Sequence, residues 1–497
     1  MEDSGTTLTQ KSASGVAWIA SLQVSRQVLS LVSVSVLARN VPESASGLLS
    51  MATVLMNFFD TFKDFGTNSA LVRETHLTDR IISTVFWINC MVGLALAGIV
   101  FGLSAPAALF FHEPALAPVV QALAWYFFLS ALGTVPGAML TRQMAFRKSS
   151  LAQLVGSLTG TGFAITLALM GAGVWSLVVA NLMITGVTSL VFWIFSPIRL
   201  RWVLDLKGAK SLASYGVKLS GFSIVNYFSR NADNLIVGRY LGSKPLGYYQ
   251  MGYTLMTYPL SNFSTLIAGV LFPAMAQVKE ETERFRTAMV RASALVSLFT
   301  FPVMLGLFVT ADPFVRVVLG GKWLPVIGLL RVFAPLGMLQ SVVTLVGLVY
   351  TARGRTGLLF AWGSFSGAVL VLSFFIGVRW GIQGVANCYA IAWGLLLFPG
   401  LHLALRQIDL PILEFCRGLW PTFAASIAMT LVSGACLYGL GRAGVVNAPV
   451  RLFGTAAIGA TFYVTVMYWW RPPVMDEFRS LVKDSGNPAI ARLARFL

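Results

Sequence analysis

Apolar runs of about 20 residues recur along the whole chain, separated only by short turn-forming stretches, and this repetition constrains the fold more than any other feature. A run of that length spans the hydrocarbon core of a bilayer as a helix. The runs lack the polar–apolar alternation of barrel strands, and a backbone in lipid must otherwise bond within its own segment. Spans are expected at 15–37, 46–66, 81–104, 116–140, 149–170 and 173–195. After a polar stretch they resume at 213–237, 246–271, 288–311, 325–350, 356–377, 381–404, 412–439 and 449–470. With 497 residues, about fourteen such spans leave no room for a large soluble domain. Charged residues make up 11% of the chain, against about 25% in soluble proteins. A soluble enzyme is thereby excluded.

The net charge of +17 follows from 36 Lys and Arg against 19 acids. Nucleic acid is not needed to explain it, because the basic residues sort by loop. Of these, 23 fall on the side holding both termini, 8 on the other, and five, Arg26, Lys63, Lys218, Arg230 and Arg331, inside spans. This asymmetry predicts cytoplasmic termini, with anionic headgroups as the neighbours of the basic loops. MEDSGTTLTQK is followed by no small-residue cleavage signature, so the first run reads as an uncleaved span. Cys90, Cys388, Cys416 and Cys436 show no paired spacing, and His76, His112 and His402 lie far apart. Neither disulfides nor a metal site is expected, and no cofactor.

The chain repeats itself internally. LARNVPESASGLLSMATVLM aligns at an offset of 200 with VGRYLGSKPLGYYQMGYTLM, so that Arg39, Gly47, Met51, Leu55 and Met56 recur as Arg239, Gly247, Met251, Leu255 and Met256. At an offset of 208, Arg147 and Gly173 recur as Arg355 and Gly381. Each half holds an even number of spans, so the halves share one orientation, a parallel-repeat transporter architecture with its site expected between lobes. The predicted organisation is an N-terminal lobe at 1–196, a connector at 197–211, a C-terminal lobe at 212–405, two extra helices within 406–470, and a basic tail at 471–497. That tail is amphipathic and suits the membrane surface.

Several stretches then acquire meaning together: SGVAWIA; LARNVPESASGLLSMATVLMNFFDTFKDFG; LFFHEPALAPVVQALAWYFFLSALGTVPGAMLTRQMAFRK; GAGVWSLVVAN; YGVKLSGFSIVNYFSRNADNLIVGRYLGSKPLGYYQMGYTL; and VLGGKWLPVIGLLRVFAPLG. As a set, over about residues 12–405, the chain resembles the polysaccharide flippases of the multidrug/oligosaccharidyl-lipid/polysaccharide exporter superfamily, above all exporters of colanic acid or succinoglycan repeat units. The resemblance implies an all-α membrane protein with two six-helix lobes around a central cavity. It also implies transfer of undecaprenyl-diphosphate-linked oligosaccharides to the periplasmic leaflet for exopolysaccharide or lipopolysaccharide synthesis. The lipid-linked oligosaccharide and membrane lipids are the partners this implies. A proton or sodium ion is the candidate coupling species, and polysaccharide polymerase and copolymerase proteins are candidate neighbours.

Ionisable groups inside spans are the residues to examine, since burying one at the bilayer centre costs about 3 kcal/mol on permissive scales. Gln23, Arg26, Gln27 and Ser30 form one helical stripe, and Asn226, Arg230, Asp233 and Asn234 form another on the corresponding span of the second half. Two arginines facing one cavity suit a diphosphate. The competing reading pairs Arg230 with Asp233, one turn apart, and Arg26 with an acid on a neighbouring helix. Asp60, Lys63 and Asp64 lie toward the end of the second span. They read either as a headgroup entrance with an ion-coupling acid or as an interfacial ion pair with a snorkelling lysine. Tyr253 and Thr257 lie deep in the eighth span and offer a ring and a hydroxyl to a sugar. Gly156 and Gly160, in GSLTG, permit close helix packing.

A chain with no GxxxxGK[ST] loop draws direction from an ion gradient or the membrane potential. The alternatives are a cation-coupled multidrug antiporter, in which acids rather than Arg26 should dominate the first cavity, and a peptidoglycan-precursor flippase. A membrane polymerase or ligase needs an extracytoplasmic catalytic surface that these short loops do not supply.

Overall fold

Apolar runs close their backbone hydrogen bonds internally by coiling, and the computed structural model shows each long run as helix wherever it is described. The described residues are 33–63, 71, 78–196, 198, 200–203, 227, 231–277 and 281–484. No strand occurs among them. The helices of the first half are α1 (33–40), α2 (Glu43–Asp60), α3 (Asp79–Gly102), α4 (Ser104–Phe111), α5 (Leu116–Arg142), α6 (Phe146–Leu169), α7 (Val174–Phe195) and α8 (231–241). There follow α9 (Ser243–Gln277), α10 (Thr282–Val309), α11 (Val326–Val343), α12 (Val346–Ala352), α13 (Thr356–Gly377), α14 (Gly381–Leu405), α15 (Ile412–Arg442), α16 (Ala448–Trp470) and α17 (Pro473–Asp484). Among the described residues, nine stretches are long and apolar enough to cross a membrane, one of which, Gly357–Ile408, takes in α14 and all but the first residue of α13.

The expected spans at 15–37 and 213–237 lie mostly outside the described residues, and the other twelve fall on these helices with two adjustments. The second ends at Asp60 rather than at 66, where Thr61, Phe62 and Lys63 turn back on the carbonyls of the last helical turn. The run at 325–350 is two helices, α11 and α12. At the break, the Thr344 hydroxyl and backbone N–H both bond the Gln340 carbonyl, a local competition that bends helices.

Contacts divide the chain into two units, Met1–Gly247 and Tyr248–Leu497. In the first, α6 packs along α7, and α5 packs against α3 and α7. Gly156 and Gly160 make the α6–α7 approach possible, because a Cβ on either would collide with side chains of α7 and with the Ile184 or Ala180 carbonyl. From α7, Ser189 donates to the Leu129 carbonyl at 2.8 Å and Trp193 to the Leu132 carbonyl at 2.9 Å. The connector returns to α3, where Trp202 stacks on Trp87 with ring centroids 4.0 Å apart.

The repeat has a structural counterpart inside this unit. A Cβ on Gly47 would overlap the Ser243 carbonyl, and one on Gly247 would overlap the Glu43 carbonyl. Residues 43 and 243, like 47 and 247, are equivalent at the offset of 200, so the contact is reciprocal. Gly173 and Gly381, equivalent at the second offset, both have positive φ, 55° and 69°, and stand at the starts of α7 and α14.

In the second unit α10 is central, packed against α11 and α15, with α16 on α15. Its apolar core includes Phe285, Met289, Leu295, Met304 and Phe415. Short hydroxyl side chains link the helices. Ser297 bonds Thr422 at 2.7 Å, Thr300 bonds Ser341 at 2.8 Å, and Tyr463 donates to the Leu298 carbonyl at 2.9 Å. The two helices beyond the repeat, α15 and α16, are thus built into this core. The first part of the tail forms α17, which packs on protein. Val474 and Met475 are buried in the same core, and Glu477 pairs with Arg291 at 2.8 Å.

Candidate functional site

The polar centre of the first unit begins at the end of α2. Asp60 closes the helix and Lys63 stands three residues on, a spacing that puts both side chains on one face. Lys63 Nζ lies 2.9 Å from Asp60 Oδ1, with the lysine side chain 20% exposed and the aspartate 36%. A cation at this position also faces the carbonyls of a helix C-terminus, which favours it. Tyr126 arrives from the middle of α5. Its hydroxyl donates to Asp60 Oδ1 at 3.1 Å and accepts from Lys63 Nζ at 3.5 Å, and the ammonium lies 5.4 Å from its ring centroid. One hydroxyl thus bridges both members of the pair. On the same stretch of α2, Phe58 meets Phe62 edge-on at 5.4 Å and Tyr227 at a tilt at 5.6 Å, and Tyr227 donates to the Val54 carbonyl. The arrangement is a cation held by a carboxylate and a hydroxyl beside one aromatic ring, that of Tyr126. Such a site can take a phosphate oxygen in place of a carboxylate.

At the opposite end of α2, a second cluster fixes the start of α9. Glu113 Oε1 accepts from the Ser243 backbone N–H at 3.0 Å, and Arg239 contacts the His112 ring and lies 5.7 Å from the Phe110 ring centroid. A carboxylate on the first N–H of a helix offsets its unpaired donors and dipole.

Of the residues singled out in the sequence, the structure brings Asp60 and Lys63 into a direct ion pair. Asp233 is buried, and its Oδ1 accepts from the Asn234 backbone N–H at 2.8 Å. In the second unit Tyr253 is half-buried, stacked on Tyr249 and edge-on to Phe333. The Thr257 hydroxyl donates to the Tyr253 carbonyl of its own helix at 3.0 Å. Gln23, Arg26, Gln27, Asp64, Asn226 and Arg230 lie outside the described residues. Sequence reasoning missed Tyr126. The available signal was its polar group in the apolar run ALAWYFFLSALG, where a hydroxyl requires a partner.

The long apolar helices and their arrangement define an all-α membrane transporter fold. It matches a structure of the lipid II flippase MurJ in an inward closed conformation, with TM-score 0.71 and 16% identity, over 91% of this chain and 98% of that one. An inward-facing multidrug transporter of the MATE family matches with TM-score 0.63 and 15% identity, over 77% of this chain and 94% of that one. Residues 36–328 match the model of the polysaccharide biosynthesis protein family, and the chain belongs to that family. Among its relatives, the teichuronic acid biosynthesis protein TuaB of Bacillus subtilis is 26% identical, over 93% of this chain and 96% of that protein. The lipopolysaccharide biosynthesis protein WzxC of Escherichia coli is 27% identical, over 86% and 88%. The succinoglycan biosynthesis transport protein ExoT of Rhizobium meliloti is 26% identical, over 97% and 96%.

Proposed function

We propose that this protein is a flippase that moves undecaprenyl-diphosphate-linked oligosaccharides from the cytoplasmic to the periplasmic leaflet of a bacterial inner membrane. The observation that carries the reading is the Asp60–Lys63–Tyr126 cluster, a phosphate-compatible cation beside an aromatic ring, in a member of a polysaccharide biosynthesis family with a transporter fold. Relatives named for succinoglycan transport and for teichuronic acid and lipopolysaccharide synthesis support the same substrate class. Transport proceeds by alternating access, with both termini cytoplasmic. In this reading Arg26 and Arg230, with Gln23, Gln27, Asn226 and Asn234 beside them, receive the diphosphate, while Tyr253 and Thr257 face the sugar. Lys63 forms the entrance, and Asp60, Asp64 or Asp233 couples a proton or sodium ion.

Deleting the gene tests the reading. Loss of surface polysaccharide together with accumulation of lipid-linked repeat units is expected, restored by wild type and not by equally abundant Arg26→Ala or Arg230→Ala. Unchanged polymer and precursor, with new drug sensitivity, would instead identify an antiporter.

A further inference from the structure

Asp60 stands where an anionic ligand of Lys63 would stand. Its Oδ1 is 2.9 Å from the ammonium, and both side chains are partly open, so the pair is accessible to exchange. An ion pair of this exposure is worth little on balance, and a phosphate oxygen can compete with it. Exchange has one obstacle: a carboxylate displaced into a half-buried site loses its partner, which costs far more than the pair itself. Tyr126 removes that obstacle, because its hydroxyl already donates to the same Oδ1 at 3.1 Å and comes from a different helix.

We propose that Asp60, Lys63 and Tyr126 form an anion-exchange site: Asp60 holds Lys63 until a phosphate group of the lipid-linked substrate takes its place, and Tyr126 retains the displaced carboxylate. Tyr126 is then a positioning residue, acting on the ligand through Asp60. This inference rests on the flippase reading for the identity of the anion. It explains why the lysine is guarded rather than bare: an unguarded ammonium would bind phosphates more tightly and release them more slowly.

The test titrates undecaprenyl diphosphate into the purified full-length protein in phosphatidylcholine nanodiscs, with undecaprenol as the phosphate-free control. Asp60→Asn removes the competing charge and is expected to bind the diphosphate about two- to fivefold more tightly than wild type. Lys63→Gln is expected to lose most of that site's preference for diphosphate over undecaprenol. Tyr126→Phe is expected to weaken binding about two- to fivefold in the presence of Asp60 and to have a clearly smaller effect in the D60N background, where only its long bond from Lys63 is lost. A Tyr126 that serves only packing would shift binding equally in both backgrounds, and that result overturns the proposal, as does D60N binding no more tightly than wild type. Wild-type protein with no preference for undecaprenyl diphosphate would count against the flippase reading itself, whereas a preference unaffected by D60N sinks the exchange site alone.

Discussion

At the scale of single residues, the buried hydroxyl pairs of the second unit set a measurable cost. Ser297 and Thr422 bond each other at 2.7 Å, and each also has a carbonyl of its own helix within reach, Ala294 and Leu419 respectively, so one hydroxyl donates across the interface while the other donates to its own helix. With those local acceptors in place, losing the interhelical bond should cost about 0.5–1.5 kcal/mol. Ser297→Ala and Thr422→Val are each expected to lower the melting temperature of the detergent-solubilised protein by about 1–2 °C. The double variant should fall by less than the sum of the two, since the same bond is removed twice; strictly additive shifts would show that the pair is not coupled. The residue scale is also where sequence reading reached least far. Asp60 and Lys63 were legible together because three residues of helix place them on one face. Tyr126 was not, because its contact depends on how α5 packs against α2, 66 residues away. The hydroxyl proton of Thr257 goes to the carbonyl four residues back, which leaves its oxygen as the acceptor a sugar would meet.

Element positions were far easier to read, since a 20-residue apolar run has few alternatives in lipid. Close approaches between elements were legible only where small residues marked them, as Gly156 and Gly160 do for α6 and α7. Gly47 and Gly247 were visible as repeats, but their reason emerges from the reciprocal packing of α2 and the start of α9, where each glycine lies against the other helix's first carbonyl. Gly47→Ala and Gly247→Ala therefore force backbone apart at one crossing and should each destabilise by about 1–3 kcal/mol, with loss of polymer in the complementation assay. Gly98→Ala is the matched control, because a Cβ there meets nothing within 4 Å and alanine favours the helix. Thermal melting of the three variants checks this. If Gly47→Ala and Gly98→Ala melted alike, the crossing would not be tightly packed. A second element-level contact, Arg291 with Glu477, is half-exposed and should contribute less than about 1 kcal/mol. Glu477→Arg is expected to shift melting only slightly, and Arg291→Glu with Glu477→Arg to recover what is lost.

For the molecule as a whole, composition and apolar runs were enough to read an all-α membrane protein, because 11% charge and repeated apolar runs admit little else, and the internal repeat together with the family resemblance added the transporter reading. They could not say what the helices beyond the repeat are for, since an apolar span looks the same whether it faces lipid or a partner helix. The structure answers for α15 and α16. Phe415, Leu419, Ala425 and Met429 of α15, with Tyr463 and Met467 of α16, share one core with α10 and α11, and α17 closes that core through Val474 and Met475. These helices are constituents of the second unit, so a chain ending at residue 411 would keep α11 against α10 but strip α15 to α17 from its other side. Its exposed Ser297 hydroxyl and Phe301 ring would then meet lipid or aggregate. A chain ending at residue 484 keeps every one of those contacts. Size-exclusion profiles of fluorescent fusions extracted in mild detergent should therefore show a monodisperse peak for the 484 truncation and a void-volume or degraded product for the 411 truncation. A monodisperse, transport-competent chain ending at 411 would mean that the repeat alone is the folding unit and that α15 to α17 are appended to it.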